Sequence, residues 1–243
     1  MFLEQIVMFQ SVRPDKGVYM EEDDFDFEAF EKELEEDQRE IDLLCQKIDD
    51  AFEWMDVFSD LESTINTFNS NMISLRQAIP SEEKHDNNFY LGILLVGVVS
   101  AYESFIHEFF DVCCNKSSYM KMAITNIDKL EDKDRNYLRL KVSSTESFLR
   151  ERLKKATLHD PIQIARLSLV FFNLRMPILK LEHTEKLLEQ RNLFTHHGGI
   201  SNGKQIEIKA EYVLRVFNVV YKLVNEYINS IKKDADLCLE EET

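Results

Sequence analysis

Between Gly17 and Pro80 the chain contains neither glycine nor proline. So long a run without either residue excludes a strand-and-turn architecture there and favours long helices. Within it, apolar side chains recur in steps of three and four. They run from Phe27 through Phe30, Leu34, Ile41, Leu44, Ile48, Phe52 and Met55 to Leu61, Ile65, Phe68, Met72, Leu75 and Ile79. That spacing places them on one helical face. Asp37 occupies one of the apolar slots and the phase slips near Phe58, which predicts one long interrupted helix or two shorter ones, closed before Pro80. The stripe either packs on the rest of the chain or forms a coiled coil with a partner, and its phenylalanines disfavour a two-stranded seam.

Negative charge is concentrated in the same region. The 243 residues carry a formal net charge of −16, but residues 1–60 hold 20 Asp/Glu against 5 Lys/Arg, whereas residues 61–243 hold 25 against 24. The expected architecture is all-α: an acidic helical arm over residues 1–80, a helical bundle over 81–235 and an acidic tail over 236–243. The polar segment 80–88 is the expected boundary. The opening residues lack the basic start and small-residue cleavage site of a secretory signal. The longest uncharged stretch, Asn87 to Tyr102, falls short of the roughly 20 apolar residues of a membrane span. A cytoplasmic location without membrane contact is therefore expected, with Asn87–Tyr102 in a buried helix.

Beyond Pro80, Phe89 to Cys114 reads as a helix whose small residues Gly92, Gly97, Ser100 and Ala101 admit another helix closely, either within the chain or across a dimer. Shorter helices follow, with breaks near Asp132 and at Ser143–Ser144. An apolar helix begins near Ile162. Glu182 to Thr195 predicts a helix with Leu187, Leu188 and Phe194 inward, stopped by Gly198 and Gly199. "KQIEIK" (204–209) predicts a short extended segment, and Tyr212 to Ile231 a closing amphipathic helix. Cys45, Cys113, Cys114 and Cys238 show no C-x-x-C spacing and no zinc-like histidine partner, so they read as small apolar residues. No metal and no cofactor are expected. Between residues 135 and 155 lies the one clearly basic zone, with Arg135, Arg139, Lys141, Arg150, Arg152, Lys154 and Lys155. These are the candidate RNA-binding residues.

The stretch "QRNLFTHHGG" (190–199) concentrates polar chemistry: Arg191, Asn192, His196, His197 and two glycines. Together with "SAYESFIHEFF" on the earlier helix, it resembles the HEPN superfamily of helical bundles. Its members share Arg, usually a polar residue next, and His four to six positions after the Arg. The resemblance covers residues 87–232 and leaves residues 1–80 outside. It implies a metal-independent endoribonuclease of a prokaryotic defence or toxin–antitoxin system, with a composite site at a homodimer interface and RNA as substrate. It maps the catalytic roles to Arg191, Asn192 and His196, with Glu103 positioning the Arg or His. Where one subgroup has a Tyr two positions after the His, this chain has Gly198, which argues against control through that Tyr. On an ideal helix His196 lies about 140° from Arg191 and His197 about 120° the other way, so periodicity does not choose between them. The resemblance favours His196.

These residue types suit RNA cleavage because RNA carries its own nucleophile, the 2′-hydroxyl. A histidine can move the proton, and a guanidinium can stabilise charge on the non-bridging oxygens. The rival readings are structural: Arg191 pairs with Glu103 or Glu189, and the glycines merely end a helix. His85, His107, His159 and His183 read as ordinary surface or core residues. A competing function is that of a non-catalytic helical interaction protein, an antitoxin or acidic nucleic-acid mimic, whose acidic arm meets a protein partner.

Overall fold

A computed structural model describes residues 27–80, 87–178 and 181–240. Among these the chain forms eight α-helices, a single 3₁₀ turn and one two-stranded hairpin. They are α1 (Phe27–Ala78), α2 (Asn88–Cys113), α3 (Ser117–Asn126), α4 (Asp132–Leu138), α5 (Glu146–Lys155), α6 (Pro161–Phe172), α7 (Leu181–His197) and α8 (Ala210–Glu240). The all-α expectation holds. The slip near Phe58 does not break α1, which runs unbroken and stops, as expected, ahead of Pro80.

The chain divides into two compact units, Met1–Asp49 and Asp50–Thr243. The division falls inside α1 and not in the polar 80–88 segment, for a reason visible in the burial. In the first unit the apolar positions Leu34, Ile41, Leu44 and Ile48 are exposed. In the second, Trp54, Val57, Leu61, Phe68, Met72 and Ile79 are buried in the core. Residues 50–80 thus belong to the bundle.

The second unit is organised around α2, which packs against α5, α7 and α8. By length and apolarity alone α2 could cross a membrane. Here Leu95, Val98, Phe105, Ile106, Phe109 and Phe110 are instead fully enclosed by the other helices, as expected of a core helix. The Asn87 side chain caps α2 by accepting a hydrogen bond from the Tyr90 amide at 3.1 Å. Phe68 of α1 meets Phe105 at 5.4 Å between ring centres, and the buried hydroxyls of Tyr102 and Tyr227 satisfy each other at 2.9 Å across α2 and α8.

Lys116, buried at the start of α3, is ion-paired to Asp50 and Glu53 and lies over the Trp54 ring at 4.6 Å. Burying an ammonium is tolerable only with such partners, and these come from the first turns of α1 within the second unit. Asp160 caps α6 by accepting from the Ile162 amide, with Pro161 in the first turn. This cap also fixes the neighbouring His159, which enters the site described below.

The small-residue face of α2 is used within the chain. A methyl group on Gly92 would fall 1.9 Å from the Phe194 ring of α7, and one on Gly97 would fall 2.8 Å from Leu75 of α1. Ala101 is buried and Ser100 exposed. At Gly92 and Gly97 the face therefore serves helix contacts within the chain.

Candidate functional site

α7 ends because Gly198 and Gly199 both adopt positive φ, 58° and 82°, a region that side chains with a Cβ enter at a cost. The two glycines differ in their surroundings. Among the described residues a methyl group on Gly198 would meet nothing within 4 Å, whereas one on Gly199 would fall 2.3 Å from the Phe194 ring. Phe194 is thus held between Gly92 of α2 and Gly199, which fixes the last turn of α7 against α2. The chain then forms the hairpin β1 (Ile200–Ser201) and β2 (Lys204–Gln205). Asn202 and Gly203 turn it with positive φ at both positions, the arrangement an Asn-Gly pair favours. The predicted extended segment 204–209 is strand only at its first two residues. Its Ile208 amide donates to Asn88 Oδ1 at 3.1 Å, returning the chain to the start of α2.

With α7 anchored in this way, Arg191 faces Glu103 of α2. Nη2 donates to Glu103 Oε2 at 3.3 Å and Nη1 donates to Asn192 Oδ1 at 3.0 Å. The other carboxylate oxygen, Oε1, lies 3.5 Å from Nδ1 of His159 on the segment before α6. Helices α2 and α7 and the segment before α6 thus bring Glu103, His159 and Arg191 together, and their side chains are only 18, 15 and 16 % exposed. His159 and the guanidinium of Arg191, with His107 one turn along α2, hold the Glu103 carboxyl below the usual carboxylate range, against the opposing effect of burial. Nε of Arg191 and Nδ1 of His159 are buried without a hydrogen bond among the described residues. Unpaired buried polar atoms are uncommon in folded proteins, and here two of them share one cluster. Tyr137, pushed up to about 12 by burial with Asp160 and Glu103 contributing, stays protonated nearby and donates to the Thr157 carbonyl.

Of the residues expected from sequence, Arg191, Asn192 and Glu103 are therefore joined. His196 and His197, in the last turn of the same helix, are exposed. Among the described residues no side-chain hydrogen bond or ion pair links either to Arg191 or to any other residue. His159, read from sequence as an ordinary histidine, lies beside Glu103. No spacing rule could have found it, since the contact depends on the path of the chain between α5 and α6.

The basic zone is only partly available. Arg150 ties α5 to the end of α2, through Asp111 and the Cys114 carbonyl, and also pairs with Glu146. Arg135 pairs with Asp132 and Lys155 with Glu151. Lys141 and Arg152 both lie over the Phe148 ring. Arg139 and Lys154 are exposed, Arg139 in a left-handed conformation that ends α4. Burial pushes both adjacent thiols up, that of Cys114 to about 12, so Cys113 and Cys114 remain protonated, as apolar filling requires. The side chain of Cys238 lies outside the described residues. Among the described residues no group of three or more His, Cys, Asp or Glu side chains is gathered closely enough to hold a metal ion. No family model, curated protein or solved structure matches this chain.

Proposed function

We propose that this protein is a HEPN-like, metal-independent endoribonuclease of a prokaryotic defence or toxin–antitoxin system. The observation that carries the reading is the Glu103–Arg191–Asn192 connection between α2 and α7. It orients a guanidinium in a mostly desolvated place, beside a helix end that presents two exposed histidines. Preorganised charge of this kind is what a phosphorane requires, since the cation does not have to reorient as the reaction proceeds.

In this reading Arg191 and Asn192 bind the scissile phosphate. His196 accepts the proton of the 2′-hydroxyl as its oxygen attacks phosphorus. The bond from phosphorus to the 5′-oxygen breaks, and that oxygen takes up a proton from the partner copy's equivalent site or from water. The products are a 2′,3′-cyclic phosphate and a 5′-hydroxyl. One histidine cannot be base and acid in the same step, which is the chemical reason for a two-fold composite site in a homodimer. Exposed Arg139 and Lys154, with Lys141 and Arg152 beside Phe148, supply phosphate contacts for the RNA. Glu103 and His159 position Arg191. A cytoplasmic location follows from this reading.

The test is incubation of the pure full-length chain with mixed single-stranded RNA in EDTA. Cleavage to cyclic-phosphate ends is expected, and both His196→Ala and Asn192→Ala should lose most of the activity with unchanged circular dichroism, since both residues are exposed. Intact RNA, or full activity in both variants, overturns the reading.

A further inference from the structure

The first compact unit contains a feature that the nuclease reading does not use. Along residues 27–49 of α1, Leu34, Ile41 and Ile48 are spaced by sevens, with Leu44 and Asp37 in the intervening positions. This is the a and d register of a coiled-coil seam. Leu34, Ile41, Leu44 and Ile48 are 52, 54, 58 and 47 % exposed, so the stripe is open to solvent over its middle turns. A soluble helix rarely leaves a continuous apolar stripe in water unless something binds there.

The charge around the stripe selects the occupant. Residues 27–49 contain nine Asp/Glu against three Lys/Arg. Two of those cations are already paired along the helix, Lys32 with Glu36 and Arg39 with Glu35. Of the flanking e and g positions, Glu31, Glu33 and Glu40 are acidic, Gln38 and Cys45 are uncharged and Lys47 is basic, and among the described residues no cation pairs with the three glutamates. A second copy of this helix would repeat the acidic excess. In a parallel pair it would also place one Asp37 opposite the other inside the seam, where like charges are costly. Anionic lipid and nucleic acid are disfavoured by the same charge.

We propose that residues 34–48 of α1 form the docking face for a basic amphipathic helix of a partner protein. That helix inserts apolar residues between Leu34, Ile41, Leu44 and Ile48, sets Lys or Arg beside Glu31, Glu33 and Glu40, and places a cation against Asp37. Asp37 then fixes the register, because any shifted pairing leaves its carboxylate facing an apolar side chain.

The experiment titrates the full-length protein with a synthetic helix of about four heptads carrying Leu and Ile at a and d, Lys at e and g, and one Arg at the layer facing Asp37. A control peptide has the same apolar positions with Glu at e and g. The Lys peptide should bind at least about tenfold more tightly than the Glu peptide at low salt, with a gap that narrows toward about 0.5 M salt. Ile41→Ser combined with Ile48→Ser should weaken binding about tenfold or more and leave the melting transition in place, because both side chains are exposed. Equal binding of the two peptides, no binding of either, or unchanged binding by the double variant overturns the proposal. So does self-association that the same double variant abolishes, which assigns the face to a second copy. None of these outcomes depends on RNA cleavage.

Discussion

Glu103 is half of the one charged contact that, among the described residues, crosses from α2 to α7, so its ionisation should be readable in stability. Its folded-state value lies below the ordinary 4.5 because His159 and Arg191 favour the carboxylate. A carboxyl lowered on folding contributes stability that is complete above its unfolded value and is lost as pH falls through the folded one. Glu103→Gln should therefore cost about 1–3 kcal/mol near neutrality, the range for a buried polar group left without its partner, and the difference from wild type should close as pH drops below 4.5. Melting curves that stay parallel from pH 7 to pH 3 would show that the ion pair adds nothing. At the end of the same helix, His197→Ala should leave RNA cleavage nearly intact while His196→Ala removes most of it. The opposite ranking would exchange their roles. Arg191, Asn192 and Glu103 were legible in the sequence because two lie in a compact motif and the third has few rivals as an acidic residue on an apolar helix. His159 was not legible. Its place beside Glu103 is set by the Asp160–Pro161 helix start and by the route of the chain from α5, neither of which leaves a periodic mark.

At the scale of elements, the contact of α7 with α2 depends on a ring that fits only where glycine is present. Phe194 is buried against both Gly92 and Gly199. Phe194→Ala should cost about 3–5 kcal/mol through lost burial and the cavity left behind. Gly92→Ala should cost about 1–3 kcal/mol, because the added methyl meets the ring and one of them must move. The two effects should not add: Gly92→Ala combined with Phe194→Leu should be more stable than Gly92→Ala alone, since the smaller side chain makes room. Denaturant unfolding of the four proteins checks this, and strict additivity would mean that Phe194 and Gly92 do not meet. Helix existence and order were legible from periodicity, and most ends fall within a few residues of expectation because caps and breakers mark them. What the pattern could not reveal was the partner of each small residue. Gly92, Gly97 and Ala101 look alike in sequence whether the approaching helix belongs to the same chain or to another copy. The short hairpin also escaped notice, although Asn202-Gly203 is a turn signal, because two paired residues on each side make too short an alternation to stand out.

At the scale of the whole chain, the uniform-looking stripe of α1 conceals a boundary. The apolar positions have the same spacing before and after Asp49, so periodicity alone joins them, and the polar 80–88 segment becomes the natural place to divide the sequence. Burial separates them: the first fully buried side chain of α1 is Trp54. Two truncations follow with opposite outcomes. A chain beginning at Asp50 keeps every buried residue of the bundle and keeps Asp50 and Glu53 for Lys116, so its thermal transition should fall within a few degrees of the full-length protein. A chain beginning at Ser81 loses Trp54, Val57, Leu61, Phe68, Met72 and Ile79 from the core. At about 1.5–3 kcal/mol for each buried apolar side chain, that loss matches or exceeds the about 5–15 kcal/mol by which a domain of this size is stable. It also leaves the Lys116 ammonium buried without its carboxylates. The shorter chain should therefore fail to fold, showing no cooperative melt and poor solubility. Calorimetry on the two fragments decides the matter, and a cooperative transition in the chain from Ser81 would mean that residues 50–80 cover the bundle without being part of it.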